Sequence, residues 1–111
     1  MNSQDPVAIQ LGRLSIHPSR LEVRSDGRRI RLTRKELAVL WTLASETGKT
    51  FQRESLIRQA WGQNVFVGSR TVDVHIARLR KKLGFLCTDT LRIETVWGIG
   101  YRLRYLTKGD P

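Results

Sequence analysis

The stretch that decides the fold is RTVDVHIARLRKKL, Arg70 to Leu83. Five of its fourteen residues are Lys or Arg, yet aliphatic side chains recur between them. At about 100° per residue, Val72, Ile76, Leu79 and Leu83 share a sector about 60° wide, the seam of an amphipathic helix. The opposite sector holds Arg70, Val74, Ala77 and Lys81. Thr71 and Arg78 lie on one flank, Asp73 and Arg80 on the other, and His75 and Lys82 nearer the seam. A solvated helix interleaves Glu with Lys at spacing four. Here the single acid, Asp73, sits in the first turn, where the helix dipole favours negative charge. Val74 and Ala77 are small and apolar between cations. Such a face can descend into the major groove of duplex DNA, a valine methyl against a thymine methyl and arginines against guanine edges.

The whole chain carries the same bias. Twenty Lys plus Arg against ten Asp plus Glu give a net charge of +10 and a pI near 11.1, and most of the cations are arginine. The planar guanidinium fork matches phosphate and guanine. This balance in a folded domain points first to nucleic acid, then to an acidic protein or membrane surface. At 111 residues the chain fits one domain with its own core and needs no disulfide or metal staple. Its one Cys, Cys87, has no partner for an intramolecular bridge, and two His with one Cys give no zinc spacing. No apolar run approaches about 18 residues and no signal segment opens the chain, so a soluble, cytoplasmic protein is expected, without membrane association. No cofactor or metal is expected. Paired carboxylates, a nucleophile with a base, and a phosphate-cradling glycine loop are all missing, which argues against an enzyme.

Residues 1–6 read as a linker stub, 7–106 as the domain, and 107–111 as a frayed tail. Up to Leu32, short alternating runs are broken by turn signals, with Asp26–Gly27 marking a hairpin; three or four antiparallel strands are expected. At Thr33 the period changes. TRKE is a capping box, and Leu37, Leu40, Trp41 and Ala44 follow at helical spacing, with Gly48 as a stop. A second helix starts near Arg53, carries Leu56, Ile57, Ala60 and Trp61 on one side, and ends at Gly62. The loop GQNVFVG leads to the third helix, with Ser69 as N-cap and Gly84 as stop. Period two then returns. Leu91 and Ile93 with Tyr101, Leu103 and Tyr105 form one face of a hairpin turning at WGIG. The fold class is α+β: an N-terminal antiparallel sheet, three helices, and a C-terminal hairpin, which is a helix-turn-helix with a wing.

Four segments, LTRKELAVLWTLA, RESLIRQAWG, RTVDVHIARLRKKLG and IETVWGIGYRL, occur in this order and at these spacings. Together they resemble the winged-helix effector domain of OmpR/PhoB-type two-component response regulators, across about residues 7–106. The resemblance implies a transcription regulator that binds duplex DNA sequence-specifically at the end of a phosphorelay. It places the third helix in the major groove and the wing near the minor groove. It puts Arg70, Val74 and Arg78 at base edges. Trp61, Thr71, Arg80, Lys81, Thr95 and Tyr101 then contact phosphates or brace groups that do. The loop Gln63, Asn64, Val65, Phe66 and Val67 becomes a contact for RNA polymerase. It also implies tandem half-sites occupied by a second copy, and a receiver domain in the full-length protein. No receiver accompanies this sequence, so an excised effector domain or a stand-alone variant is expected.

The chain departs from the family pattern at three places. Trp97 stands where well-known members have a wing arginine; a Trp can stack on sugars, wedge into the groove or pack on a neighbouring subunit. Arg102 and Arg104 are then left to take over phosphate contact. Gln52 replaces the usual capping Ser of the second helix, a loss of about 0.5–1 kcal/mol. Ala77 replaces an arginine found in some relatives. Structural duties compete at other positions: Trp41 reads as core, Trp61 as core-facing at its base, His75 as a packing or hydrogen-bonding residue, and the Tyr101 and Tyr105 rings as core. Phe66 and the loop valines could equally fold inward. Two other functions stay open at this level, a protein-docking module and an RNA-binding domain. The deep, narrow major groove of A-form RNA disfavours the second.

Overall fold

The computed structural model describes residues 8–86 and 91–106; the expected stub, the tail from residue 107 and Cys87 lie outside them. Four short strands form the first sheet: β1 (Ile9–Leu11), β2 (Leu14–His17), β3 (Glu22–Ser25) and β4 (Arg28–Arg31), each antiparallel to the next. Leu14, Ile16 and Val23 alternate onto its buried face. Asp26 (φ 49°) and Gly27 (φ 80°) both adopt the left-handed conformation that a two-residue hairpin turn of matching twist requires.

The first helix, α1 (Arg34–Ser45), begins at the expected capping box. Glu36 N–H donates to Thr33 Oγ1 at 3.2 Å, and Thr33 N–H donates to Glu36 Oε1 at 2.9 Å. Leu37, Val39, Leu40, Leu43 and Ala44 are buried, because α1 is central and packs on α2 (Arg53–Ala60), α3 (Ser69–Gly84), the last strand and β1. Trp41 is only half-buried, at the margin of the core.

The hairpin is β6 (Leu91–Val96) with β7 (Gly100–Tyr105). Ile93 faces Leu103 and Thr95 faces Tyr101, giving the expected shared face. A third strand was not expected from the sequence. Phe51–Gln52 forms β5, which pairs with β7 and completes a sheet of order β5-β7-β6. The two glycines of the wing answer different demands: Gly98 takes φ +78° within the turn, while the β5 pairing requires Gly100, where a Cβ would collide with the Phe51 carbonyl.

Two helix boundaries differ from expectation. Gly68, not Ser69, is the N-cap of α3; its carbonyl accepts from Thr71 N–H at 3.0 Å, and no side chain caps this end. The helix also runs through Gly84 to a C-cap at Phe85 instead of stopping there. Gly84 keeps ordinary helical geometry, and Leu86 just beyond the helix is buried. Gln52 offers no capping side chain to α2, as its identity suggested.

Candidate nucleic-acid interface

The α3 helix divides as its periodicity indicates. Val72, Ile76, Leu79 and Leu83 are buried, while Arg70, Val74, Ala77, Arg78 and Lys81 are exposed. Val74 is 46% exposed, unusual for a valine with a core nearby. Among the described residues, Arg70, Arg78 and Lys81 make no hydrogen bond or ion pair. These three cations line one ridge, spaced by small apolar side chains, and only Arg70 feels a nearby carboxylate, that of Asp73, through space.

The flanks of α3 are tied to the rest of the domain. Asp73 Oδ1 accepts from Arg53 Nε at 2.7 Å and from the Tyr101 hydroxyl at 2.6 Å, joining α2, α3 and β7. Burial alone would raise the Asp73 pKa, but the hydrogen bonds from Tyr101 and Arg53 outweigh it and hold it below the usual range. Burial, then Asp73, raises the Tyr101 hydroxyl, which stays protonated as a donor. Its ring is covered by the guanidiniums of Arg53 (5.1 Å) and Arg80 (5.7 Å). Arg80 Nε and Nη2 donate to the Ile93 carbonyl at 3.0 and 2.8 Å, and Nη2 also reaches Thr95 Oγ1 at 2.9 Å. Of the residues expected at phosphates or behind them, Arg80, Thr95 and Tyr101 thus form a clamp between α3 and the wing.

Trp61 and His75 brace the start of α3. His75 Nδ1–H donates to the Thr71 carbonyl at 2.8 Å, and its ring meets Trp61 edge-on at 5.0 Å. Lys35 Nζ lies 5.7 Å from the Trp61 ring centre and donates to the Ala60 carbonyl at 3.2 Å. Lower on α3, Lys82 Nζ donates to Glu36 Oε1 at 2.7 Å. Glu36 is 1% exposed. Burial would raise its pKa, but the bonds from Lys82 and the Thr33 backbone outweigh this and lower it. Through Lys82, α3 and the α1 cap are one connected unit.

The wing tip is apolar. Trp97 is 88% and Ile99 52% exposed, and Ile99 N–H donates to the Val96 carbonyl at 2.9 Å to close the turn. Arg102 and Arg104 both pair with Glu94, at 2.7 and 3.5 Å. The hydrogen bond from Arg102 is the main cause of the lowered Glu94 pKa. The two arginines expected to serve DNA are therefore partly neutralised by a strand neighbour.

A family profile described as "Transcriptional regulatory protein, C terminal" matches residues 27–103. The chain belongs to this family. It is a DNA-binding effector domain of the response-regulator type and not an enzyme. Over 103 residues it is 39% identical to the transcriptional regulatory protein VxrB of Vibrio cholerae, covering 93% of this chain and 40% of that protein. Over 104 residues it is 35% identical to SrrA of Staphylococcus aureus, with coverages of 93% and 43%. The chain thus spans about two-fifths of the length of these relatives. Among solved structures it superposes on the DNA-binding domain of Escherichia coli CadC (TM-score 0.80, 29% identity, 93% of this chain and 95% of that one). It also superposes on the Klebsiella pneumoniae RstA DNA-binding domain in complex with the RstA box (TM-score 0.71, 33% identity, 87% and 96%).

In this effector domain the α2–α3 loop points both ways. Phe66 is 98% and Val65 41% exposed, and Gln63 and Asn64 are also exposed; Val67 turns in against the core. Of the two alternatives left open for this loop, Phe66 takes the exposed one and Val67 the inward one. Sequence reasoning missed Arg53 and Lys35 and read Asp73 only as a helix-dipole residue. The signal that could have placed Asp73 is its position on the α3 flank shared with Arg80, which the wing must cover. Among the described residues no helix is long and apolar enough to cross a membrane.

Proposed function

We propose that this domain reads duplex DNA by seating α3 in the major groove, with Arg70, Val74 and Arg78 at base edges and Thr71, Lys81 and the indole N–H of Trp61 toward phosphates. The observation that carries this reading is the unpartnered outward ridge of α3. Arginines that hold no internal hydrogen bond or ion pair can make bidentate contacts with guanine O6 and N7, and Val74 and Ala77 let the helix approach closely. Arg80, Thr95 and Tyr101 serve by holding helix and wing in one geometry. The wing, with Trp97, Arg102 and Arg104, reaches the flanking minor groove; releasing Arg102 and Arg104 to phosphate means exchanging Glu94 for another anion. Relatives described in complex with an intercistronic region and with the RstA box support the reading.

In a full-length cytoplasmic regulator a receiver domain governs this effector, two copies occupy tandem half-sites, and the exposed loop residues Val65 and Phe66 touch RNA polymerase. In-vitro selection of bound duplexes followed by footprinting tests the core claim. A motif with contiguous major-groove protection is expected, and log affinity should fall with log salt at a slope of about −5 to −7. Equal retention of random and selected duplexes would sink it.

A further inference from the structure

We infer that Trp97, seconded by Ile99, is an apolar wedge that enters the minor groove beside the α3 site and partly unstacks a base step there. This rests on the proposed docking of α3. Three observations lead to it. The wing tip, Trp97–Gly98–Ile99, has no charge, and the nearest wing cations, Arg102 and Arg104, are drawn back to Glu94 on the stem. The tip therefore has no cation with which to sense the negative potential of a narrow A·T groove.

The tip is also held in a fixed relation to α3. Arg80 joins the helix to Ile93 and Thr95, and Asp73 joins it to Tyr101, which faces Thr95 across the hairpin. Trp97 lies two residues beyond Thr95, about 7 Å further along the strand direction. A closed turn with Gly98 at φ +78° presents the ring without rearrangement. Finally, α3, which Arg80 and Asp73 tie to this wing, carries cations with no hydrogen bond or ion pair, so the occupant it fits is a polyanion, and here one that also accepts a large flat apolar ring. Duplex DNA meets both demands. Apolar side chains inserted at a base step kink the duplex, and pyrimidine–purine steps yield most easily. The wing then reads flank deformability, with an affinity contribution that salt does not screen.

The test compares the unaltered domain with Trp97→Ala, Trp97→Phe and Arg78→Ala on one selected half-site. Affinity, salt slope and DNA bend angle (by energy transfer between labelled duplex ends) are measured, with the flanking step either TA or AA. The ring is exposed, so its removal leaves the fold intact. Trp97→Ala should weaken binding on the order of tenfold, leave the salt slope unchanged, reduce the bend and abolish the preference for TA. Trp97→Phe should retain most of each. A Trp97→Ala protein that binds and bends like the parent overturns the wedge. So does one that is normal on a single half-site and defective only when a second copy loads, since that places the ring against protein. Arg78→Ala separates the two levels: it should lose base preference under α3 but keep the bend, and unchanged base preference would remove the docking on which the wedge stands.

Discussion

Removing Arg80 distinguishes a brace from a phosphate contact. In the free domain its guanidinium makes three donor contacts, at 3.0 and 2.8 Å to the Ile93 carbonyl and 2.9 Å to Thr95 Oγ1. A charged hydrogen bond contributes about 1.5–3 kcal/mol when buried. Arg80 is exposed, and the groove lined by Arg80, Leu83, Leu91, Ile93 and Glu94 would admit water to the vacated carbonyl. The whole set is then worth about 1–2 kcal/mol. Arg80→Ala should therefore lower the urea-unfolding free energy by that amount, followed by tryptophan fluorescence. Arg80→Lys should fall between, since an ammonium lacks the fork. On a cognate duplex Arg80→Ala should bind several-fold more weakly because the wing is released. The dependence of log affinity on log salt is decisive. Each phosphate contact contributes a slope of about −0.9, so a brace leaves the slope unchanged. A slope shallower by about one, with unfolding unaffected, would refute the clamp.

Arg70→Ala and Arg78→Ala should each cost about 1–3 kcal/mol on the selected site and broaden the motif at the contacted base, with unfolding unchanged; competition titrations against single-base variants check this. Glu36→Ala should cost about 2–3 kcal/mol in urea unfolding, because the Lys82 bond and half the α1 capping box go together. The folded-state pKa values of Glu36 and Asp73 are lowered, so their stabilisation is full above the unfolded carboxylate pKa near 4 and disappears as pH falls through the folded values. Urea midpoints should thus drop below about pH 4, less steeply in Glu36→Gln. Gly100→Ala should cost about 3 kcal/mol by clashing with β5, and Gly98→Ala, with open space around it, only about 1–2 kcal/mol of backbone strain.

The elements legible in the sequence were those specified by local spacing. The seam of α3 repeats every three or four residues, the Thr33–Glu36 box needs only a fixed offset, and Asp26–Gly27 declares its own turn. What escaped is pairwise and distant. β5 is two residues long and is a strand only because β7 lies beside it. Asp73 reads in the sequence as a first-turn acid, but with α3 starting at Ser69 it lies beyond the first turn, and its role comes from Tyr101 and Arg53, 28 and 20 residues away. The N-cap shift from Ser69 to Gly68 reflects a loop geometry that no single residue dictates. Glu94 is intermediate: once Thr95 is set opposite Tyr101, Glu94 must face Arg102, so the hairpin register alone would have revealed the wing ion pair.

The net charge of +10 is not a uniform field. The domain divides its cations by whether an acid or carbonyl has been placed within reach. Arg24 and Arg29 meet Glu22, Arg53 meets Asp73, Lys82 meets Glu36, and Arg102 and Arg104 meet Glu94; these cations build. On α3 the acid count stops at Asp73, whose oxygen is turned inward to Arg53 and Tyr101 and cannot swing to Arg78 or Lys81 without breaking that junction. Self-neutralisation of the ridge is thereby confined to the through-space pull of Asp73 on Arg70, by the same contacts that tie the helix to α2 and β7. A partner that supplies phosphates to Arg70, Arg78 and Lys81 thus meets cations with no hydrogen bond or ion pair to exchange, whereas at the wing it must compete with Glu94. The salt-dependent part of the affinity should therefore reside on the helix, and the wing adds a salt-independent part that discriminates by the shape and deformability of the flank.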